Sequence, residues 1–373
     1  MGGTATPTRE IQVRVLSTGQ VDARRDDGGA WQGGSIQYSG VDKELIRVFA
    51  RWLTERGREW RWDEVRAFGS LLHRSLFPEN LWSWIEQSMT EFGKSRVRLQ
   101  LEFPSDGLAD LAAVPWEYLH VPNRPGREGF FLAAQERLIL TRFIPLRGGR
   151  QALGGEPRIT VLVLVSQPRD LGEVIAGPVV EHLKKLREEL PLDVVVLEQP
   201  SRSSLRDQVR TTRPHVVHFV GHGQFDAEHA EGQIALVGQT DRADWVGENV
   251  LAQLLDADGT LPRLALFHSC DGAQVDYGAS FAGLAPRLIN RGVQCVVAMQ
   301  YAVTNRTALE FARVFYDRLG RGLPVDEAVQ AGRMELHVVY GDDSRLLGIP
   351  VIYLNSRDAV LLPSAPPSPT AVP

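Results

Sequence analysis

The sequence predicts an α/β fold built on a largely parallel β-sheet between helical layers, and two observations carry that prediction. Six short apolar runs, at 159–165, 193–197, 215–220, 264–267, 294–299 and 350–354, are rich in β-branched residues and read as strands buried on both faces. Between them lie amphipathic helical patterns at 177–190, 202–212, 248–256, 278–291, 304–320 and 324–338. Strands separated by helices of this length are joined by crossovers, which favour parallel neighbours and bury both faces of the sheet.

Taken in order, the elements begin with a smaller and less regular N-terminal α/β half, residues 1–150, preceding a main domain at 151–357. The half contains strand-like IQVRVL at 11–16, helical patterns at 41–57 and 79–92, and strand-like segments VRLQLEF at 97–103 and RLILTRF at 137–143. A Gly-, Pro- and Arg-rich stretch at 145–158, PLRGGRQALGGEPR, lacks apolar periodicity and reads as a linker. Within the main domain, 224–247 interrupts the alternation: QIALVG followed by QTDRADWV suits a short hairpin and loop, an insertion expected to border the site. The tail at 358–373, Pro- and Ser-rich from about 362, cannot build a core and is expected to be disordered.

Composition excludes several function classes. With 373 residues, 43% hydrophobic and 23% charged, the chain is long enough for one large or two mid-sized cores. Its net charge of -5 comes from 41 basic and 46 acidic residues spread without a basic stripe, so neither nucleic acid nor an anionic membrane is an expected partner. No run approaches a membrane span, and MGGTATPTREIQ lacks the apolar core of a secretory signal, which makes the cytoplasm the expected location. Cys270 and Cys295 are the only cysteines, so a disulfide framework is not expected; Cys295, inside VQCVVAM, reads as a buried thiol. The Gly-rich stretches lack the Lys and Ser/Thr of a phosphate-binding loop.

Chemistry concentrates in VVHFVGHG at 216–223 and LFHSCDG at 266–272, where apolar strands end in small polar turns. In an open parallel sheet, functional groups gather at the carboxyl ends of strands, and His222 and Cys270 follow the third and fourth strands of the alternation. A thiol is mostly protonated at neutral pH, so a nearby imidazole must accept its proton; a Cys-His dyad satisfies that need. Gly221 and Gly223 flank the histidine and permit close backbone approach, and the N–H groups of Gly223 and Cys270 are candidate oxyanion donors. His218 shares a strand face with His222, but two imidazoles without a third ligand make a poor zinc site; it reads as a buried support, and no metal is expected. Ser269 is expected to serve the turn. Trp116 and Glu117 read as packing architecture, and His268 as either core or pocket wall.

At these residues the chain resembles the CHAT family of caspase-like cysteine proteases, relatives of caspases and separases. PWEYL at 115–119, PHVVHFVGHG at 214–223 and FHSCDGA at 267–273 resemble the family's upstream, histidine and cysteine elements. FAGLAPRLINRGVQCVVAMQYAVTN and FARVFYDRLGRGLPVDEAVQAGR resemble its C-terminal signature, so the likeness runs from about 97 to 356. It implies a caspase-like three-layer sandwich, with residues 1–150 as an accessory or pseudo-caspase half. It also implies peptide hydrolysis through a thioester, with Cys270 as nucleophile and His222, 48 positions earlier, as base and then acid.

The resemblance is not to true caspases, whose Q-A-C-x-G is here H-S-C-D-G. Arginine-cleaving relatives often carry an Asp where this chain has His268, so His268 and Asp271 become the candidate pocket residues for an unassigned side-chain preference. The implied substrate is a protein or peptide bound in extended form, with no cofactor. The implied role is a gated effector of a bacterial defence or signalling cascade, switched by a regulatory protein or by an activating protease cutting at 224–247 or near 150. Two other readings stand beside this one: a catalytically silent interaction module, and an amidase acting on a small molecule.

Overall fold

The protein is described by a computed structural model, which covers residues 7–53, 61–104, 109–146, 155–226, 228–229, 231–269, 277–301, 303–341, 344–356 and 358–362. The first part of the chain forms β1 (Thr8–Val15), β2 (Gln20–Arg25), β3 (Gln32–Ser35), α1 (Gly40–Trp52), α2 (Trp62–Leu76), α3 (Glu79–Glu91) and β4 (Arg96–Glu102). A two-stranded ribbon, β5 (His120–Val121) and β6 (Phe130–Phe131), precedes β7 (Leu138–Phe143). The alternation then runs β8 (Ile159–Val165), α4 (Gly177–Glu189), β9 (Leu192–Glu198), α5 (Arg202–Thr212) and β10 (Val216–Gly221). After it come β11 (Gly223–Asp226), β12 (Glu231–Val237), β13 (Ala243–Gly247), α6 (Glu248–Leu254) and β14 (Leu264–Ser269). The chain closes with α7 (Tyr277–Arg291), β15 (Cys295–Met299), α8 (Asn305–Gly320), α9 (Val325–Val339) and β16 (Pro350–Leu354).

An 11-stranded sheet in the order β3-β2-β1-β4-β7-β16-β15-β14-β10-β8-β9 organises the molecule, with most neighbours parallel. Alternation of side chains splits the second half of the sheet into two cores. Val161 and Val163 of β8, Val216 and Val220 of β10, and Leu264 and Leu266 of β14 face one core together with Leu183 of α4 and Phe311 and Phe315 of α8. Leu162, Leu164, Val217, Phe219, Ala265 and Phe267 face the other, with Leu205 of α5, Leu251 of α6 and Leu288 of α7. The expected three layers are therefore present.

The six strands of the alternation and the helices between them fall within a few residues of their expected positions, because apolar periodicity is strongest where both faces are covered. Differences occur where that signal fails. β9 is the sheet edge, and its residues 193 to 197 are only half-buried rather than enclosed on both faces. β16 runs antiparallel to β15, because two helices, α8 and α9, separate them and the second returns the chain to the end where β15 finished. The insertion is a three-stranded antiparallel sheet, β11-β12-β13, rather than one hairpin. In the first part, α1 ends at Trp52, short of the expected 57, while α2, β2 and β3 had no counterpart among the expected elements.

Most of the expected linker (147–154) and the tail from 363 lie outside the described residues. Ala359, Leu361 and Leu362, expected within a disordered tail at 358–373, are instead buried in the core, because they carry apolar side chains that pack against it. Strands from both sides of that stretch share one sheet through β7 and β16, which pair in parallel at only two positions, Tyr353 with Arg142 and Leu354 with Phe143. Where they stop pairing, the buried Arg333 of α9 bridges them, donating from Nη1 to Leu140 O at 2.8 Å and from Nε and Nη2 to Pro350 O at 2.9 and 2.8 Å. Trp116 and Glu117 belong to this seam. Trp116 is buried against Phe103, and the Glu117 carboxylate takes two bonds from Arg142, at 3.0 and 2.6 Å, and one from Gln300 at 3.1 Å. At the far side of β4, the buried Arg98 pairs with Asp326 in the first turn of α9.

Candidate active site

The site begins with two parallel strands in register. β10 and β14 pair directly, Gly221 opposite Ser269, so His222 leaves one strand end and position 270 follows the other. The expected adjacency of these two strand ends is present in the backbone. Cys270 and Asp271 lie outside the described residues. Gly221 permits the close packing at this end: a Cβ there would sit 2.5 Å from the Phe219 ring and 3.0 Å from the Ser166 carbonyl at the end of β8.

His222 is fully buried, and its Nε2 lies 2.8 Å from the carbonyl oxygen of Gly172, in the loop after β8. A carbonyl only accepts, so Nε2 carries the proton and Nδ1 presents a lone pair in the neutral ring. Nδ1 has no hydrogen-bond partner among the described residues. Burial lowers the pKa of the ring, opposed in part by the bond to Gly172, so the neutral tautomer is favoured near pH 7. The arrangement supplies a proton acceptor of fixed orientation at the end of a strand. Gly172 had no signal in the sequence, because the contribution comes from its backbone, which every residue type shares.

Gly223 opens β11 directly after His222. Gly223 stands opposite Ile234 of β12, and the Ala235 N–H donates to the His222 carbonyl at 2.9 Å. That pattern makes Gly223 and Ile234 a non-hydrogen-bonded pair, so the Gly223 N–H points away from β12 and is left for another acceptor.

Two further histidines lie beneath the site. His218 and His268 point from neighbouring strands into the core shared with α8, stacked at 5.6 Å between ring centroids and 16° between planes. His218 Nε2 lies 3.4 Å from His268 Nδ1, and His218 Nδ1 lies 3.1 Å from the Tyr316 hydroxyl. His268 has no exposed surface, which places it in core surroundings. His218 is a buried, hydrogen-bonded residue. Cys295 is buried in β15, where burial raises its thiol pKa well above the usual range and keeps it protonated, unsuited to nucleophilic attack.

Burial holds both stacked histidines neutral: His268 is lowered to about 4, and His218 is well below its ordinary value through burial and the neighbouring His268. His73 and His120 in the first part of the chain are lowered to about 3 and about 4, again chiefly by burial. Unfolded chains bind these protons near pH 6.5, whereas the folded protein does not bind the His268 proton until about pH 4. Stability present above pH 6.5 is therefore lost progressively as pH falls to about 4. Urea midpoints measured across that window should decline, and His268→Asn should flatten the decline; an unchanged slope in the variant would contradict the assignment.

No helix among the described residues is long and apolar enough to cross a membrane. The family model of the CHAT domain matches residues 66–343. No curated protein matches the chain. Among solved structures, the chain is similar to the Saccharomyces cerevisiae separase-securin complex, at 10% identity and a TM-score of 0.46, covering 93% of this chain and 30% of that one. It is also similar to the Arg-specific cysteine proteinase gingipain R, at 11% identity and a TM-score of 0.48, covering 86% and 76% of the two chains. The complex of the Porphyromonas gingivalis RgpB pro- and mature domains is similar at 10% identity and a TM-score of 0.47, covering 86% and 78%. The chain thus spans under a third of the length of the yeast chain it matches.

Proposed function

The chain belongs to the CHAT-domain family, and from that premise we propose that it is a cysteine endopeptidase with Cys270 as nucleophile and His222 as base. The observation that carries the reading is the His222 ring: neutral, oriented by Gly172, with Nδ1 unprotonated and free of described partners, on the strand end in register with the one that precedes Cys270. His222 Nδ1 takes the thiol proton as Cys270 sulfur bonds to the substrate carbonyl carbon. The proton then passes to the leaving amine as the peptide C–N bond breaks, which leaves a thioester. Water, deprotonated by the same nitrogen, hydrolyses the thioester and regenerates the thiol. The N–H groups of Gly223 and Cys270 hold the oxyanion, a role supported at Gly223 by an N–H directed away from β12.

Gly221 supports the site by allowing the Ser166 carbonyl at the end of β8 to pack closely against the backbone just before His222. Of the two pocket candidates we retain Asp271 beside the nucleophile, with His268 supporting from below. The substrate is an extended protein segment, and the protease is a cytoplasmic effector in a bacterial defence or signalling cascade, gated by a regulatory protein or an activating protease. A chain with only two cysteines suits a reducing compartment.

Cleavage-site mass spectrometry on a proteome treated with the parent protein and with Cys270→Ala tests this reading. New termini sharing a side-chain preference are expected with the parent alone. Equal cleavage by both would remove Cys270 from the mechanism, and no cleavage by a parent supplied with its activator would favour the silent interaction module.

A further inference from the structure

We infer that Asp170 is the positioning residue of the base: its carboxylate ties the loop that carries Gly172 to the turn between β12 and β13, and so sets the orientation of His222. The inference rests on His222 as the proton acceptor, and it concerns how that ring is held. The loop leaves β8 at Ser166, whose hydroxyl donates to Ala235 O at 2.6 Å and whose N–H donates to Val220 O at 3.0 Å. Its other end is fixed by Val174 and Ala176, both buried before α4 begins. Between these anchors Pro168 is buried, and the polar attachments of residues 169 and 170 go to one place.

That place is a tight turn. Gly238 N–H donates to Arg242 O at 2.8 Å, and Asp241 adopts a left-handed backbone at φ 58°. Asp170 Oδ1 accepts the Ala243 N–H at 2.8 Å, its Oδ2 lies 3.3 Å from Arg242 Nε, and the Arg169 N–H donates to Asp241 O at 2.8 Å. The Ala243 N–H is the chief influence holding the Asp170 carboxyl below its usual range, so the clamp carries its charge at neutral pH. Gly172 follows two residues later, its carbonyl 2.8 Å from His222 Nε2. With the clamp released, Gly172 has no side chain of its own to hold that carbonyl on the ring. The orientation of His222 therefore depends on the 238–243 turn, an exposed feature.

Nitrogen NMR of His222 in the Cys270→Ala protein reads the tautomer and pKa without requiring turnover. Because the Gly172 bond raises the His222 pKa, Asp170→Ala is expected to lower it and to add the Nδ1-protonated tautomer. Asp170→Asn, whose amide oxygen still accepts the Ala243 N–H, should restore the parent spectrum, and Arg242→Ala should leave it unchanged. In the Cys270 protein, Asp170→Ala should lower kcat about tenfold with KM unchanged, the pattern of a misplaced base. A His222 tautomer and pKa indifferent to Asp170→Ala would overturn the inference. Absence of cleavage by the parent protein, with the NMR response intact, would instead count against the protease reading alone.

Discussion

Cys270→Ala is expected to abolish peptide cleavage, His222→Ala to cost nearly as much, and the double variant to be no worse than either single one. A base without a thiol to deprotonate and a thiol without its base are each disabled, so the losses do not add; each should lower kcat/KM by about 10⁴-fold or more. His222 is suited to the role because burial and the Gly172 carbonyl together keep Nε2 protonated and Nδ1 bare. Kinetics on a peptide identified by the cleavage-site experiment check this. Additive losses would mean that the two residues act in separate steps, and full activity in His222→Ala would assign the base elsewhere.

Arg142→Met is expected to be the most destabilising single change outside the site. Arg142 and Glu117 are 3% and 1% exposed, and they lie where β7 and β16 share only two pairs. Removing the guanidinium strands the Glu117 carboxylate in a dry environment and takes from the Val114 carbonyl one of its two donors, leaving it the Trp116 N–H at 2.9 Å. Breaking a buried ion pair from one side costs about 3–5 kcal/mol, whereas replacing both partners with apolar groups is close to neutral. Urea unfolding should therefore show a large loss for Arg142→Met and a partial recovery when Glu117→Leu is added. A double variant less stable than the single one would show that Glu117 does not depend on Arg142 for its place.

The legibility of this fold followed its burial. β8 and β16 were read to the residue, because Ile159–Val165 and Pro350–Leu354 are short apolar runs bounded by turns, the pattern that a strand enclosed on both faces imposes. β2 and β3 carry no such pattern: QGGS is the sheet edge with little to bury, and QVDARR beside it buries only Val21 and Ala23. α2 has buried Val65, Phe68, Leu72 and Leu76 at helical spacing, a periodicity the sequence does carry. In the site, His222 and Gly223 were legible because side-chain chemistry and a glycine pair mark a strand end. Gly172 and Asp170 were not, since one acts through its backbone and the other is an ordinary surface carboxylate until the turn at 238–243 folds against it.

By itself, the sequence determined the alternation of buried strands and helices, the strand end that His222 follows, and membership of the CHAT-domain family. Local patterning decides these, because periodicity and residue type are written along the chain. Tertiary structure alone decided that both parts of the chain share one sheet through Arg142, Glu117 and Arg333, and that the fully buried His268 sits under the site. It alone placed a carbonyl from 50 residues away on the ring of His222. Hydrogen bonds and desolvation depend on which groups meet in space, and a pKa or a tautomer exists only once they have met.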